Sequence, residues 1–247
     1  TLTISANVTL EVASGRTLTI ASTGTLTSTA GTLDNDGIIS CSGTITTSSN
    51  FTGTSSGLVS FASVTAYDNS VIVGNRLSTA LGGDRTIANY MGVGVGTTKV
   101  IMSGDNLTTA AHTLTISANV TLEVASGRTL TIAGAITKSG AIDGAGNVIF
   151  SSIAAYDATS DNSDIGSAIA SDRTLSKYNT SGTTKVIIAS GEALTINAAA
   201  EFIIASGVIL ELVSGRTLTI ASTGTLTSTA GIVDNDGTIS CSGTITS

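Results

Sequence analysis

An all-β chain wound as a parallel β-solenoid, with three-sided rungs of about 24 residues, is the fold class this sequence predicts. Three observations predict it. Apolar and polar residues alternate in short runs, long segments recur with little or no change, and two of the recurring repeats differ in length by about one rung of such a coil.

The alternation defines the strands. Leu2 and Ile4, then Val8, Leu10 and Val12, then Leu18 and Ile20 are interleaved with Thr1, Thr3, Thr9, Glu11, Thr17 and Thr19. A period of two puts the apolar set on one face of a half-buried strand and Thr on the other. Each strand with its turn takes about 6 to 8 residues, and the turns hold Gly, Ser or Asn. Gly15, Gly24, Gly31, Gly37 and Gly43 fall at the expected corners, where positive φ is an option.

The repetition defines the organisation. Residues 1–21 recur unchanged at 113–133, and residues 14–46 recur at 214–246 with changes only at Thr32/Ile232, Leu33/Val233 and Ile38/Thr238. Between them, VSFASVTAYD (59–68) answers VIFSSIAAYD (148–157), and TTKVIMSG (97–104) answers TTKVIIASG (183–191). One continuous solenoid is expected over 1–247, built of repeats 1–112 and 113–200 and a truncated third, 201–247. The second repeat is 24 residues shorter than the first, the loss falling between Ala133 and Phe150. A three-faced coil can drop a whole turn and keep its strands in phase, whereas a sandwich that lost three strands would lose its core. Tandem small β-sandwiches are the alternative, and the absence of Pro, the absence of Trp and the 3% aromatic content weigh against them.

The motifs ASGRTLTIASTGTLTSTAG and LDNDGIISCSGTIT, with its later copy, resemble the repetitive parallel β-helix segments of bacterial and viral surface proteins such as filamentous adhesins and tail fibres. The resemblance spans the whole chain and is one of pattern. It implies an extracellular location or one on a cell or virion surface, and a structural or adhesive role as a stiff rod, fibre, stalk or sheath. The partners it implies are the protein itself, as a homopolymer or as flanking repeats, and a surface or glycan ligand. The sequence starts without Met or a leader and stops within a repeat, with no polar cap at either end, so flanking repeats or end-to-end stacking are expected.

Charge narrows the partners. A net charge of −7 with only 10 Lys and Arg makes no basic stripe for nucleic acid, and no apolar run is long enough for a membrane-spanning helix. No pattern calls for a cofactor. The one histidine, His112, precedes a strand and reads as a turn or surface residue, leaving Ser or Cys nucleophiles without a base.

Cys41 and Cys241 occupy equivalent SCSGTIT copies and are expected to be free, with a cross-link between subunits as the alternative. Asp34, Asp36, Asp234 and Asp236, in the two DNDG copies, are the Ca²⁺ candidates; the later ligands of a Ca²⁺ loop are missing, and a turn is the simpler reading. Sequons at Asn7, Asn50, Asn106, Asn119 and Asn179 are candidate glycosylation sites. Glu11 with Arg16, Glu123 with Arg128 and Glu211 with Arg216 are expected to pair across a corner, while Asp84-Arg85 and Asp172-Arg173 repeat as a structural feature would. An enzyme is not expected. A polysaccharide-processing β-helix would need clustered carboxylates in a cleft. An ice-binding solenoid would need regular outward ranks from the Thr-x-Thr triplets, whose spacing along the chain is uneven.

Overall fold

The structure, a computed structural model, describes residues 1–47, 51–71, 76–77, 79–91, 95–159, 165–189 and 191–247. It divides into two units. Unit 1 holds Thr1–Leu107, Leu114–Arg128 and Lys138–Asp143; unit 2 holds Thr108–Thr113, Thr129–Thr137 and Gly144–Ser247.

In unit 1 the first rung is β1 (Leu2–Ile4), β2 (Thr9–Val12) and β3 (Thr17–Ile20), and the second is β4 (Thr25–Ser28), β5 (Thr32–Asn35) and β6 (Ile38–Cys41). The third is β7 (Thr44–Thr47), β8 (Phe51–Thr52) and β9 (Leu58–Phe61). Pairing is parallel throughout, with β1-β4-β7, β2-β5-β8 and β3-β6-β9 as the three faces. Helix α1 (Val64–Ser70) interrupts the coil. In chain order there follow β10 (Arg85–Ile87), β11 (Thr97–Met102), β12 (Leu107–Thr108), β13 (Thr113–Ile116) and β14 (Val120–Val124), then β15 (Thr129–Ile132) and β16 (Ala135–Lys138), these two falling in unit 2 except for Lys138, and β17 (Ala141–Asp143), back in unit 1. Of these, β11, β14 and β17 extend the β3 face, and β13 lies on β10.

Unit 2 repeats the arrangement. It contains β18 (Asn147–Phe150), helix α2 (Ile153–Asp157), β19 (Ala168–Ile169), β20 (Arg173–Leu175), β21 (Thr183–Ile188), β22 (Leu194–Ile196) and β23 (Glu201–Ile204). It ends with β24 (Val208–Leu212), β25 (Thr217–Ile220), β26 (Thr225–Ser228), β27 (Ile232–Asn235), β28 (Thr238–Cys241) and β29 (Thr244–Thr246). Its faces are β15-β18-β21-β24-β27, β19-β22-β25-β28 and β20-β23-β26-β29. Each unit is therefore a three-sided parallel β-solenoid, as expected.

Stacked partners lie 18 to 29 residues apart in the chain, from Leu33 on Phe51 to Arg85 on Leu114. The separation grows to 39 where α1 is inserted between Leu58 and Thr97, and to 36 where α2 lies between Asn147 and Thr183. The shortened repeat has lost one rung, since five strands separate β3 from β9 and two separate β15 from β18. The faces are also interchangeable. Within unit 1, β3 is the third strand of the first copy of the 21-residue repeat, β14 is the second strand of its second copy, and both belong to one sheet.

Apolar ladders, mostly of Val, Ile and Leu with Phe among them, fill the interior. In unit 1, Ile20, Cys41, Phe61, Val100, Leu122 and Ile142 stack in register; in unit 2, Ile132, Phe150, Val186 and Leu210 do the same. Burying each such side chain contributes roughly 1.5 to 3 kcal/mol.

The corner glycines differ from expectation. Of the five named, only Gly15 has positive φ, at 75°. Gly43 is needed because a Cβ there would stand 2.2 Å from the carbonyl oxygen of Gly24 on the rung before, and Gly37 because one would meet the Arg16 oxygen at 2.4 Å. Close stacking of successive corners selects them.

Candidate functional site

Side-chain chemistry gathers where the coils are interrupted, at the two helical inserts. In each, a serine caps a short helix: Ser63 Oγ accepts from the Ala66 amide at 3.1 Å, and Ser152 Oγ from the Ala155 amide at 2.9 Å. Beneath each helix lies a set of three aromatic rings. Phe61 meets Tyr67 and Tyr90 edge-on at 5.3 and 5.2 Å, and Phe150 meets Tyr156 and Tyr178 at 5.0 and 5.1 Å. Phe61 with Tyr67, and Phe150 with Tyr156, are matched in the VSFASVTAYD and VIFSSIAAYD copies; Tyr90 and Tyr178 lie outside those copies, and the clustering of the rings was not legible.

The insert of unit 1 buries an ion pair. Arg85 Nη2 lies 3.7 Å from Asp68 Oδ1, both side chains are almost fully buried, and the guanidinium sits 5.6 Å from the centre of the Tyr67 ring. Asp68 Oδ2 also accepts from the Leu77 amide at 2.8 Å. Burial pushes the Tyr67 hydroxyl above its ordinary range, an effect that Arg85 opposes, and it pushes Tyr90 up to about 12. Tyr67 Oη accepts from the Ala88 amide at 3.1 Å, and Tyr90 Oη donates to the Ile45 carbonyl at 2.8 Å. A cleft of about 310 Å³ beside them is lined by Thr46, Thr47, Ser70, Val71 and Asn89 among others.

In unit 2, Asp157, the counterpart of Asp68, accepts from the Ile165 and Gly166 amides at 2.7 Å each. Glu192 accepts from Ile153 and Ala154 at 3.1 Å and from Ala189 at 2.9 Å. Both acids line a cleft of about 270 Å³, with their oxygens committed to main-chain amides. Such bonds hold loops in place and leave little capacity for proton transfer to a substrate.

The expected pairs are rearranged. Arg85 meets Asp68 rather than Asp84, and Arg173 bonds Ser171 Oγ and the Asp172 carbonyl, while Asp172 accepts from the Glu201 amide. The glutamates expected to face arginines across a corner lie along the sheet instead: Glu123 pairs with Lys99, and Glu211 with Lys185, each on the adjoining strand. Strand pairing sets two residues of different rungs closer than a corner sets two residues of one rung. Glu11 stacks on Asp34, and Glu211 on Asp234, so acidic side chains form short columns.

The DNDG segments are only partly turns, because Asp34 and Asn35 belong to β5, and Asp234 and Asn235 to β27. Asn35 points inward and is fully buried, with Nδ2 donating to the Leu58 carbonyl at 3.2 Å. Asp34 accepts from Thr52 Oγ1 and Asp36 from the Thr54 amide; Asp234 and Asp236 are exposed. Among the described residues, no group of three or more His, Cys, Asp or Glu could hold a metal ion.

Asn7 and Asn119 are exposed at left-handed corners, each with φ near 60°, a conformation that Asn tolerates; Asn106 is also exposed. Asn179 is buried, and its Nδ2 donates to the Gly146 carbonyl at 2.6 Å, which leaves its amide no room for a glycan in the folded chain. Asn50 lies outside the described residues. Cys41 sits in the core ladder and Cys241 is exposed; both are free. His112 is half-buried at a turn, its amide donating to the Thr109 carbonyl. Thr-only ranks reach three rungs at most among the described registers, as in Thr3, Thr27 and Thr46. Among the described residues no helix is long and apolar enough to cross a membrane.

No protein-family model matches the chain, and no curated protein matches it. Among solved structures it is similar to the TibC-catalysed hyper-glycosylated TibA55-350 fragment, at 17% identity over 100% of this chain and 98% of that one, with a TM-score of 0.26.

Proposed function

We propose that this protein is a structural or adhesive repeat protein that acts outside the cell or on a cell or virion surface. The observation that carries the proposal is the interchangeability of the faces: one sequence serves on different faces of the same unit, and a repeat can lose a rung without losing phase. Such a coil grows by adding rungs, each of which contacts its neighbours only. A single catalytic cleft gains nothing from that arrangement, and the carboxylates in the two clefts are engaged by main-chain amides. In this reading the protein is not an enzyme, and its partners are further copies or repeats of itself and a surface or glycan ligand.

Electron microscopy of the native material tests the proposal. Filaments whose power spectrum shows an axial spacing of about 4.8 Å are the expected result. Compact isolated particles that cleave a polysaccharide would overturn it.

A further inference from the structure

The insert of unit 1 marks a discontinuity in its hydrogen bonding. Among the described residues, the β1-β4-β7 and β2-β5-β8 sheets stop at the third rung, and β10 opens a separate sheet with β13. Among the described residues, the pairing of β9 with β11 is the one strand ladder that continues across the insert. An unpaired β7 edge would present main-chain groups as a template for another strand. In the structure that edge is occupied by side chains. The amide of Ile45, in the middle of β7, donates to Ser70 Oγ at 2.9 Å, and its carbonyl accepts from Tyr90 Oη at 2.8 Å. Ser70 Oγ in turn donates to the Ala66 carbonyl at 2.8 Å, tying the strand to the last turn of α1. The Tyr90 ring is held edge-on by Phe51 at 5.7 Å and Phe61 at 5.2 Å.

We propose that α1 and Tyr90 form a latch over the edge of β7, and that unit 1 opens first at this joint. Elsewhere in its first three rungs, separating two rungs breaks hydrogen bonds on three faces at once. Here, among the described residues, it breaks those of one face, the two side-chain bonds to Ile45, the bond from Ser103 Oγ to the Ala62 carbonyl and the contact of Asn35 Nδ2 with Met91 Sδ, still fewer than three ladders. Local openings start where the fewest cooperative bonds are lost. If the protein acts as the proposed rod, on which this use of the joint rests, unit 1 would yield at one level while the β4–β6 rung stays closed.

Hydrogen exchange of the full chain, followed by mass spectrometry, tests the latch in the wild type, Tyr90→Phe and Ser70→Ala. In the wild type, amides of α1 and of β7 around Ile45 should exchange at least about tenfold faster than those of β4 to β6. Tyr90→Phe keeps the ring and removes one bond to Ile45, so exchange there should rise by a further factor of about five to ten, with β4 to β6 unchanged. Ser70→Ala should act at the same amides; if it does not fold, Tyr90→Phe decides alone. Equal exchange across the first three rungs, an unchanged rate at Ile45 in Tyr90→Phe, or a uniform rise over unit 1 would each overturn the proposal.

Discussion

The inserts of the two units share a sequence pattern, and their buried charges differ. Both keep the capped helix and the three rings around Phe61 or Phe150. In unit 1 the helix-end aspartate faces a buried arginine; in unit 2 its counterpart captures two amides, and the arginine stands half-buried with partners of its own. The aromatic packing is thus the common requirement of an insert, and the ion pair is one of two ways to satisfy the same carboxylate. A buried pair gains little over such an alternative, because desolvation offsets most of its attraction.

The comparison can be broken by substitution. Phe61→Ala and Phe150→Ala should each destabilise their unit by about 3 to 5 kcal/mol, measured by denaturant unfolding with a probe in each unit. A large effect at one and none at the other would end the equivalence of the inserts. Arg85→Ala should cost about 3 kcal/mol by leaving Asp68 buried without its cation, while Arg173→Ala should stay within about 0.5 kcal/mol. Similar losses at both would show that the charge plays one role in both units.

Alkaline titration sharpens the same contrast. Because burial raises the folded-state pKa of Tyr90 to about 12, its contribution is full below the unfolded value near 10 and is lost as pH rises toward 12. Unit 1 should lose on the order of 2 kcal/mol over that window from this residue, and Tyr90→Phe should remove that part of the slope. The smallest effect is expected at the caps, where Ser63→Ala and Ser152→Ala should each cost about 1 kcal/mol in thermal unfolding.

Much of the fold could be read from the sequence. Alternation placed the strands because one side of each faces an apolar interior, and the shortened repeat revealed the rung because phase forbids other losses. The glycine corners were located correctly and explained only in part, since the clash that selects Gly43 comes from Gly24 on the rung before, a neighbour set by the winding. The ion pairs were misplaced for the same reason: Glu123 meets Lys99 through strand pairing, and the chain-local motif pointed to Arg128. The latch on Ile45 was invisible because Ser70 and Tyr90 lie 25 and 45 residues away and belong to no recognisable motif.

Interchangeable rungs are the central claim, and one chimaera tests it most directly. Residues 22–60 are replaced by the sequence of residues 134–149, which removes three strands and joins Ala21 to Phe61 as Ala133 is joined to Phe150. Thermal unfolding followed by circular dichroism should show a folded β protein with one rung fewer and a cooperative transition. A chain that is unfolded or aggregated under the same conditions would contradict the claim, because its rungs would then depend on their particular neighbours.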